Sequence, residues 1–408
     1  MSAYAVLKIQ DFRFFILARL CITLAVQIQA VVVGWQVYEI TKDPLSLGLI
    51  GLAEAIPAIG VSLYAGHLAD ITERKKIIIA CAALLASCST MLFFFTLEVS
   101  SFIVLYGAIP IYMVIFISGI ARGFLSPANF SFMPQLVPRE LYTNAISWNS
   151  TIWEGASVAG PALGGFLYGW FGISTTYLVD VLLMLAGLSF YMFIKNKPLP
   201  AITEEQGMIE KIRAGLKFVF KNQIVLSAIS LDLFAVLFGG AVALLPVFAS
   251  DILMVGPQGL GVLRAAPAIG ALLMAVYLTH NPIKKNIGKI LLWCVAGFGI
   301  CMIGFGLSNM FWISFALLVG SGMFDCVSVI VRMALIHTLT PENMKGRVAA
   351  VNSIFVGSSN EIGAFESGLV AKLMGVVNSV VLGGIMTLFV VGVTARKANQ
   401  LVRLEKVE

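Results

Sequence analysis

Eleven charged side chains lie inside otherwise apolar stretches of this 408-residue chain: Glu54, Glu154, Asp180, Asp232, Asp325, Glu361 and Glu366, with Arg19, Arg122, Arg264 and Arg332. In hydrocarbon surroundings each costs about 3 kcal/mol or more unless it meets a partner or a cavity, so each marks function by default. The chemistry open to them is proton uptake and release. Burial disfavours a carboxylate and a neighbouring guanidinium favours it, so a carboxyl between the two changes protonation when its surroundings change. At ~1.5 Å per residue, Glu54 and Asp232 lie near the middle of their stretches. Asp232 and Asp325 lead as proton-linked groups, followed by Glu54 and Glu154, with Arg122 and Arg332 as cationic partners. Asp180, Arg19 and Arg264 lie nearer stretch ends, where snorkelling or lipid contact is the plainer expectation.

Other chemistries find no support. The six cysteines form no CxxC pair and the three histidines are far apart, so neither a metal site nor a disulfide framework is suggested. No HExxH, GxSxG or GxxxxGK[ST] stretch occurs, which argues against an intramembrane hydrolase and against ATP drive. Gln27, Gln29 and Gln36 in the first stretch could line a cavity for varied molecules or hydrogen-bond neighbouring helices.

The elements that must hold these groups are membrane helices. The chain is 59% hydrophobic and 12% charged, with a mean hydropathy of +0.95, about half the charge of a soluble domain. Apolar runs of about 20 residues fall at 14–38, 45–69, 77–97, 102–124, 145–171, 175–194, 224–248, 260–278, 290–307, 311–336, 348–370 and 376–393. They alternate with no two-residue period, which excludes an outer-membrane barrel. The expectation is an all-α membrane protein of twelve transmembrane helices: an amino-terminal bundle 1–195, a polar cytoplasmic linker 196–222 and a carboxy-terminal bundle 223–408. Placing both termini in the cytoplasm puts 21 of the 27 basic residues on that side. The net charge of +6 is then an orientation signal in the cell (inner) membrane, with no nucleic-acid partner needed. The leader 1–13 has no small-residue cleavage site behind its apolar run, so the first span is expected to be retained.

The chain also repeats itself at an offset of 203 residues. Leu136-Val137-Pro138 returns as Leu339-Thr340-Pro341, Asn149-Ser150 as Asn352-Ser353, Ser118-Gly119 as Ser321-Gly322, Gly160 as Gly363 and Gly165 as Gly368. Duplicated six-span halves place a binding site near the bilayer midplane and allow alternating access. The same offset makes Arg122 and Asp325 positional equivalents, an opposite-charge couple able to pair and separate. Arg332, two turns after Asp325 on one helical face, offers a competing partner.

Two motifs carry a resemblance. The stretch Gly66-His67-Leu68-Ala69-Asp70-Ile71-Thr72-Glu73-Arg74-Lys75-Lys76 resembles the GxxxD(x)xGRRK cytoplasmic loop of the major facilitator superfamily, with Glu73 where a glycine usually stands. Gly66 permits close helix approach, Asp70 suits a helix amino terminus, and Arg74, Lys75 and Lys76 suit lipid phosphate. Gly160-Pro161-Ala162-Leu163-Gly164-Gly165 resembles the GPxxGG core of the superfamily's antiporter motif; proline frees a carbonyl and glycines admit a facing helix. Arg122 resembles the fourth-span arginine of proton-coupled exporters. The whole chain looks most similar to the twelve-span drug:proton antiporter branch that includes macrolide-efflux and enterobactin-exporter proteins.

The resemblance implies two pseudo-symmetric six-helix bundles in the major facilitator fold. It also implies export of amphipathic or hydrophobic small molecules by a single chain, driven by a proton gradient with no cofactor and no metal. Within transport, a dedicated siderophore or metabolite exporter or a lipid-flipping member is the rival. Outside it, a transport-inactive receptor or scaffold would need neither the loop motif nor the buried carboxyls.

Overall fold

The structure, a computed structural model, describes residues 4–97, 102–198, 208–281, 283, 285–341, 344–402 and 404. Helix dominates and no strand occurs among the described residues. The long helices are α1 (Gln10–Thr41), α2 (Pro44–Ile71), α3 (Arg74–Phe94), α4 (Ile109–Leu136), α5 (Tyr142–Phe193), α6 (Met208–Lys221), α7 (Gln223–Phe238), α8 (Gly256–His280), α9 (Ile287–Leu307), α10 (Phe311–Leu339), α11 (Lys345–Met374) and α12 (Val376–Lys397). Ten described helical stretches are long and apolar enough to cross a membrane. One of these, Arg139–Phe193, has 55 residues, more than twice the ~20 a crossing requires, and breaks at Gly172. With α11 as a further 30-residue helix, the arrangement is consistent with twelve crossings.

The break is built by a residue type. Gly172 has φ 81 and Gly375, between α11 and α12, has φ 92, a region where a Cβ is penalised. The two glycines stand 203 residues apart, so the repeat extends to the turns that reverse the chain.

Two expected runs and the linker are corrected. The run at 102–124 is a short helix, Phe102–Tyr106, followed by α4, which begins only after Gly107 (φ 59) and continues through Pro127 and Pro134 to Leu136. The run at 224–248 is not one straight helix. α7 stops at Phe238, and the chain passes through the 3-10 turn Gly240–Leu244 and a π turn at Phe248–Ile252. A Cβ on Gly240 would meet the Gly363 carbonyl at 2.6 Å, so the bare backbone is what lets α11 come close. Within the linker, α6 is an amphipathic helix rather than loop: Val219 is buried against Ile336, Val348 and Val351, and Gly215 lies against the Arg347 carbonyl.

The chain forms two compact units. The first comprises 1–42, 52–204 and 256–265; the second comprises 43–51, 205–255 and 266–408. The core of the first gathers Phe12, Phe15, Phe132 and Tyr191 from α1, α4 and α5. That of the second gathers Leu231, Leu291, Val331 and Leu335 from α7, α9 and α10. Each unit is locked at glycines. In the first, Gly119 lies against Pro57 and the Glu54 carbonyl of α2; in the second, its repeat partner Gly322 lies against Pro267 of α8.

Candidate functional site

In the second unit, Asn222 starts α7 by accepting hydrogen bonds from the Ile224 and Val225 amides at 3.1 and 3.2 Å, an N-cap that fixes the helix register. Ten residues on, Asp232 is buried (5% exposed) and forms an ion pair with Arg332 of α10 (4% exposed). Asp325, expected as a possible partner of Arg332, is not paired with it. Seven residues of helix separate their attachment points by about 10 Å, whereas α7 presents Asp232 directly. Asp325 makes no hydrogen bond or ion pair with any described residue. It lines a small cavity with Asp232, Ser328, Cys294, Phe298 and Phe324. The Ser328 hydroxyl is buried there without a protein partner among the described residues.

In the first unit, Arg122 of α4 forms an ion pair with Glu54 of α2 and donates from Nη2 to Gln29 Oε1 of α1 at 3.4 Å. Gln29 in turn donates from Nε2 to Ser89 Oγ of α3 and to Asp180 Oδ2 of α5, each at 3.3 Å. Asp180 also lies beside the Ser89 hydroxyl and within the field of Arg122. It is completely buried, and its Oδ1 has no donor. Snorkelling is therefore the wrong account of Asp180. The two end-placed cations are also held by protein: Arg19 donates to Asn149 at 3.2 Å, and Arg264 donates to the Ala30 carbonyl at 3.1 Å. Counting residues from the end of an apolar run gives depth but not facing direction, and facing decides burial.

Other candidates separate by surroundings. Glu154 is exposed on α5, apart from both clusters. Gln27 donates to Ser157 of α5 at 3.0 Å and Gln36 accepts from Tyr177 at 2.7 Å. The amides of α1 thus join helices to one another. Arg122 finds its carboxylate inside its own unit, so the role equivalent of Arg122 is Arg332, not the positional equivalent Asp325.

The side chains of Gly66 and Asp70 fall outside the described residues. The cations beside them make contacts within the protein. Arg74 donates to the Ser131 carbonyl of α4 at 2.9 Å. Lys75 reaches the Met192 carbonyl at 3.2 Å and Asn196 at 3.1 Å, and Lys76 pairs with Glu73 at 3.1 Å. Two of the three satisfy carbonyls near helix carboxyl ends, where positive charge is favoured.

The glycines of the GPxxGG stretch sort onto two neighbours. Gly160 lies against Gln27, and a Cβ at Gly164 would fall 3.1 Å from the Ile28 Cα, both on α1. Gly165 meets Gly261 of α8, where a Cβ would fall 2.7 Å from the Gly261 Cα, and the Pro161 carbonyl faces Gly261 as well. In the second unit the repeat glycines do the same work. Gly363 lies against the Leu237 carbonyl of α7, and Gly368 against Pro44 and Gly48 of α2.

Helices joined at glycines, a duplicated plan and ion pairs sealed inside each unit define a membrane transporter of the major facilitator fold. The chain belongs to the transmembrane secretion effector family of the major facilitator superfamily, which it matches over residues 1–407. Among its relatives, the enterobactin exporter EntS of Escherichia coli O1:K1 is 26% identical over 393 residues, covering 94% of this chain and 90% of that protein. The uncharacterized MFS-type transporter YkuC of Bacillus subtilis is 24% identical over 359 residues, covering 82% and 78%. The fold is that of the D-xylose–proton symporter (TM-score 0.72, 15% identity, covering 97% and 98% of the two chains). The POT family transporter PepTSo shares it too (TM-score 0.72, 11% identity, covering 96% and 98%).

Proposed function

We propose that this protein exports amphipathic or hydrophobic small molecules across the inner membrane by alternating access, in exchange for protons. The observation that carries the reading is the cluster in the second unit, a buried Asp232–Arg332 ion pair beside the cavity that holds the unpaired Asp325. Protonation of Asp325 removes a charge that no described neighbour balances, so a proton stabilises one arrangement of α7 and α10 over another. That differential is what a coupling ion must supply. A proton crossing 100 mV yields about 2.3 kcal/mol, enough for roughly a fifty-fold gradient of a neutral solute. No cofactor takes part; Glu54 and Arg122 hold the first unit's share of the charge. Both termini face the cytoplasm, the bundles run 1–195 and 223–408 about the linker, and one chain suffices for one path.

The kinship to an enterobactin exporter favours a second reading, a dedicated exporter of a siderophore or related polar metabolite. Both are tested in cells deleted for their own pumps, by susceptibility and by export of candidate metabolites, with and without a proton uncoupler. Uncoupler-sensitive efflux lost in Asp325→Asn is expected. Efflux indifferent to uncoupler and to Asp325→Asn ends the proton reading, whichever substrate is moved.

A further inference from the structure

We propose that the first unit binds a proton of its own, and that its carrier is Asp180 of α5. Arg122 supplies one positive charge to two carboxylates, pairing with Glu54 and linked to Asp180 through Gln29. With every group ionised the network holds one uncompensated negative charge, and on a carboxyl as fully buried as Asp180 that charge costs far more than holding one proton. Glu54 takes the ion pair and is partly open to its surroundings. Asp180 is completely buried, and one of its oxygens has no donor. The proton therefore resides on Asp180.

The groups facing Asp180 sharpen the assignment. From α1 comes the neutral amide of Gln29, and from α3 the Ser89 hydroxyl. The Cys88 thiol lies beside Ser89 in the field of Arg122, and the Tyr177 phenol lies on the same helix as Asp180. Arg122 is the cation among them. Release of the proton then requires Arg122 to turn from Glu54 toward Asp180, and Gln29, bonded to both, is the hinge of that exchange. The second unit has the same balance, one arginine with two carboxylates: Asp232 takes Arg332, and Asp325 is left over. Each unit thus carries one proton.

This inference rests on the proton-coupled reading, and its test is chosen to be read without transport. Purified full-length protein, free of substrate, is followed by infrared difference spectroscopy as the medium is taken from acid to alkaline. It is prepared with and without carbon-13 in the aspartate side-chain carboxyl. Two protonated, buried carboxyl bands are expected, both shifted by the label and both lost at alkaline pH. Asp180→Asn should remove one and Asp325→Asn the other. The inference is overturned by a single label-sensitive band, by a first-unit band that ignores the label and so belongs to Glu54, or by an Asp180 band that persists through the titration. The labelled wild-type protein decides the matter even where the Asn variant does not fold. Absence of uncoupler-sensitive efflux in the cell assay would instead remove the transport reading and leave these bands as they are.

Discussion

At the scale of single residues, the Asp232–Arg332 pair decides what the second unit can tolerate. Removing one partner leaves an uncompensated buried charge, which is worth about 3–5 kcal/mol in a dry interior. Arg332→Ala is therefore expected to lower the thermal unfolding midpoint of the purified protein sharply. The double variant Asp232→Leu with Arg332→Met should recover most of the loss while abolishing proton-driven efflux; a double variant as unstable as the single would show that the charges themselves are needed for folding. A surface pair behaves differently. Lys372 is bonded to Asp43 at 2.6 Å, with both side chains partly exposed. Burial opposes the Asp43 charge, but the Lys372 ammonium and the Leu45 amide outweigh it and hold the carboxyl below its ordinary 3.8. Such a group stabilises the fold above that ordinary value, and the stabilisation is lost as pH falls through the lowered one. Lys372→Met should thus cost up to about 1 kcal/mol at neutral pH and less near pH 2, as read by melting at the two pH values. An equal gap at both would remove the ion pair from the account. Sequence showed which of these residues were charged within apolar runs. It did not show the pairing, because partners such as Glu54 and Arg122 lie 68 positions apart and meet only through helix packing.

At the scale of elements, the glycines of α5 are not alike, and the difference is measurable on one helix. A Cβ at Gly165 would sit 2.5 Å from the Pro257 carbonyl and 2.7 Å from the Gly261 Cα. Both neighbours are backbone, so α8 would have to move away. At Gly155 nothing lies within 4 Å. Gly165→Val is expected to destabilise by roughly 1–3 kcal/mol, as overpacking does. Gly155→Ala should gain about 0.5–1 kcal/mol, because a helix-interior glycine wastes backbone entropy. Melting midpoints that move the same way for both would show that helix propensity alone sets the response. The GPxxGG stretch was legible as a packing face because proline and glycine in an apolar run have few other uses. Which helix each glycine meets was not legible, since α1 and α8 are separated from it by more than a hundred and by about ninety residues of chain. The amphipathic α6 was legible in principle: Leu216 and Val219 recur at helical spacing among Arg213, Lys217 and Lys221, a period masked by the polarity of the whole linker.

At the scale of the whole molecule, the duplicated plan was written in the chain and the charge balance was not. Glycines repeated at 203 positions mark duplication because turns and close approaches tolerate so little else, and Gly172 with Gly375 extends the series to the chain reversals. Charges are freer to drift between halves. Arg122 and Arg332 do the same work from positions that the offset does not relate, and Glu54 on α2 corresponds in role to Asp232 on α7. The balance survives the drift in the two described clusters, one cation and two carboxylates in each; if each cluster binds a proton as proposed, two protons move in each cycle. That number has a thermodynamic signature independent of any single variant. For a neutral substrate found in the susceptibility screen and held at a fifty-fold gradient, about 2.3 kcal/mol opposes transport. One proton balances it at about 100 mV, and two protons at about 50 mV. Vesicles clamped at graded voltages, with no pH difference, should show net flux reversing near the lower figure for the wild-type protein. Asp180→Asn, if it still transports, should reverse near the higher one. A wild-type reversal at the higher voltage would mean that the two clusters share one proton per cycle.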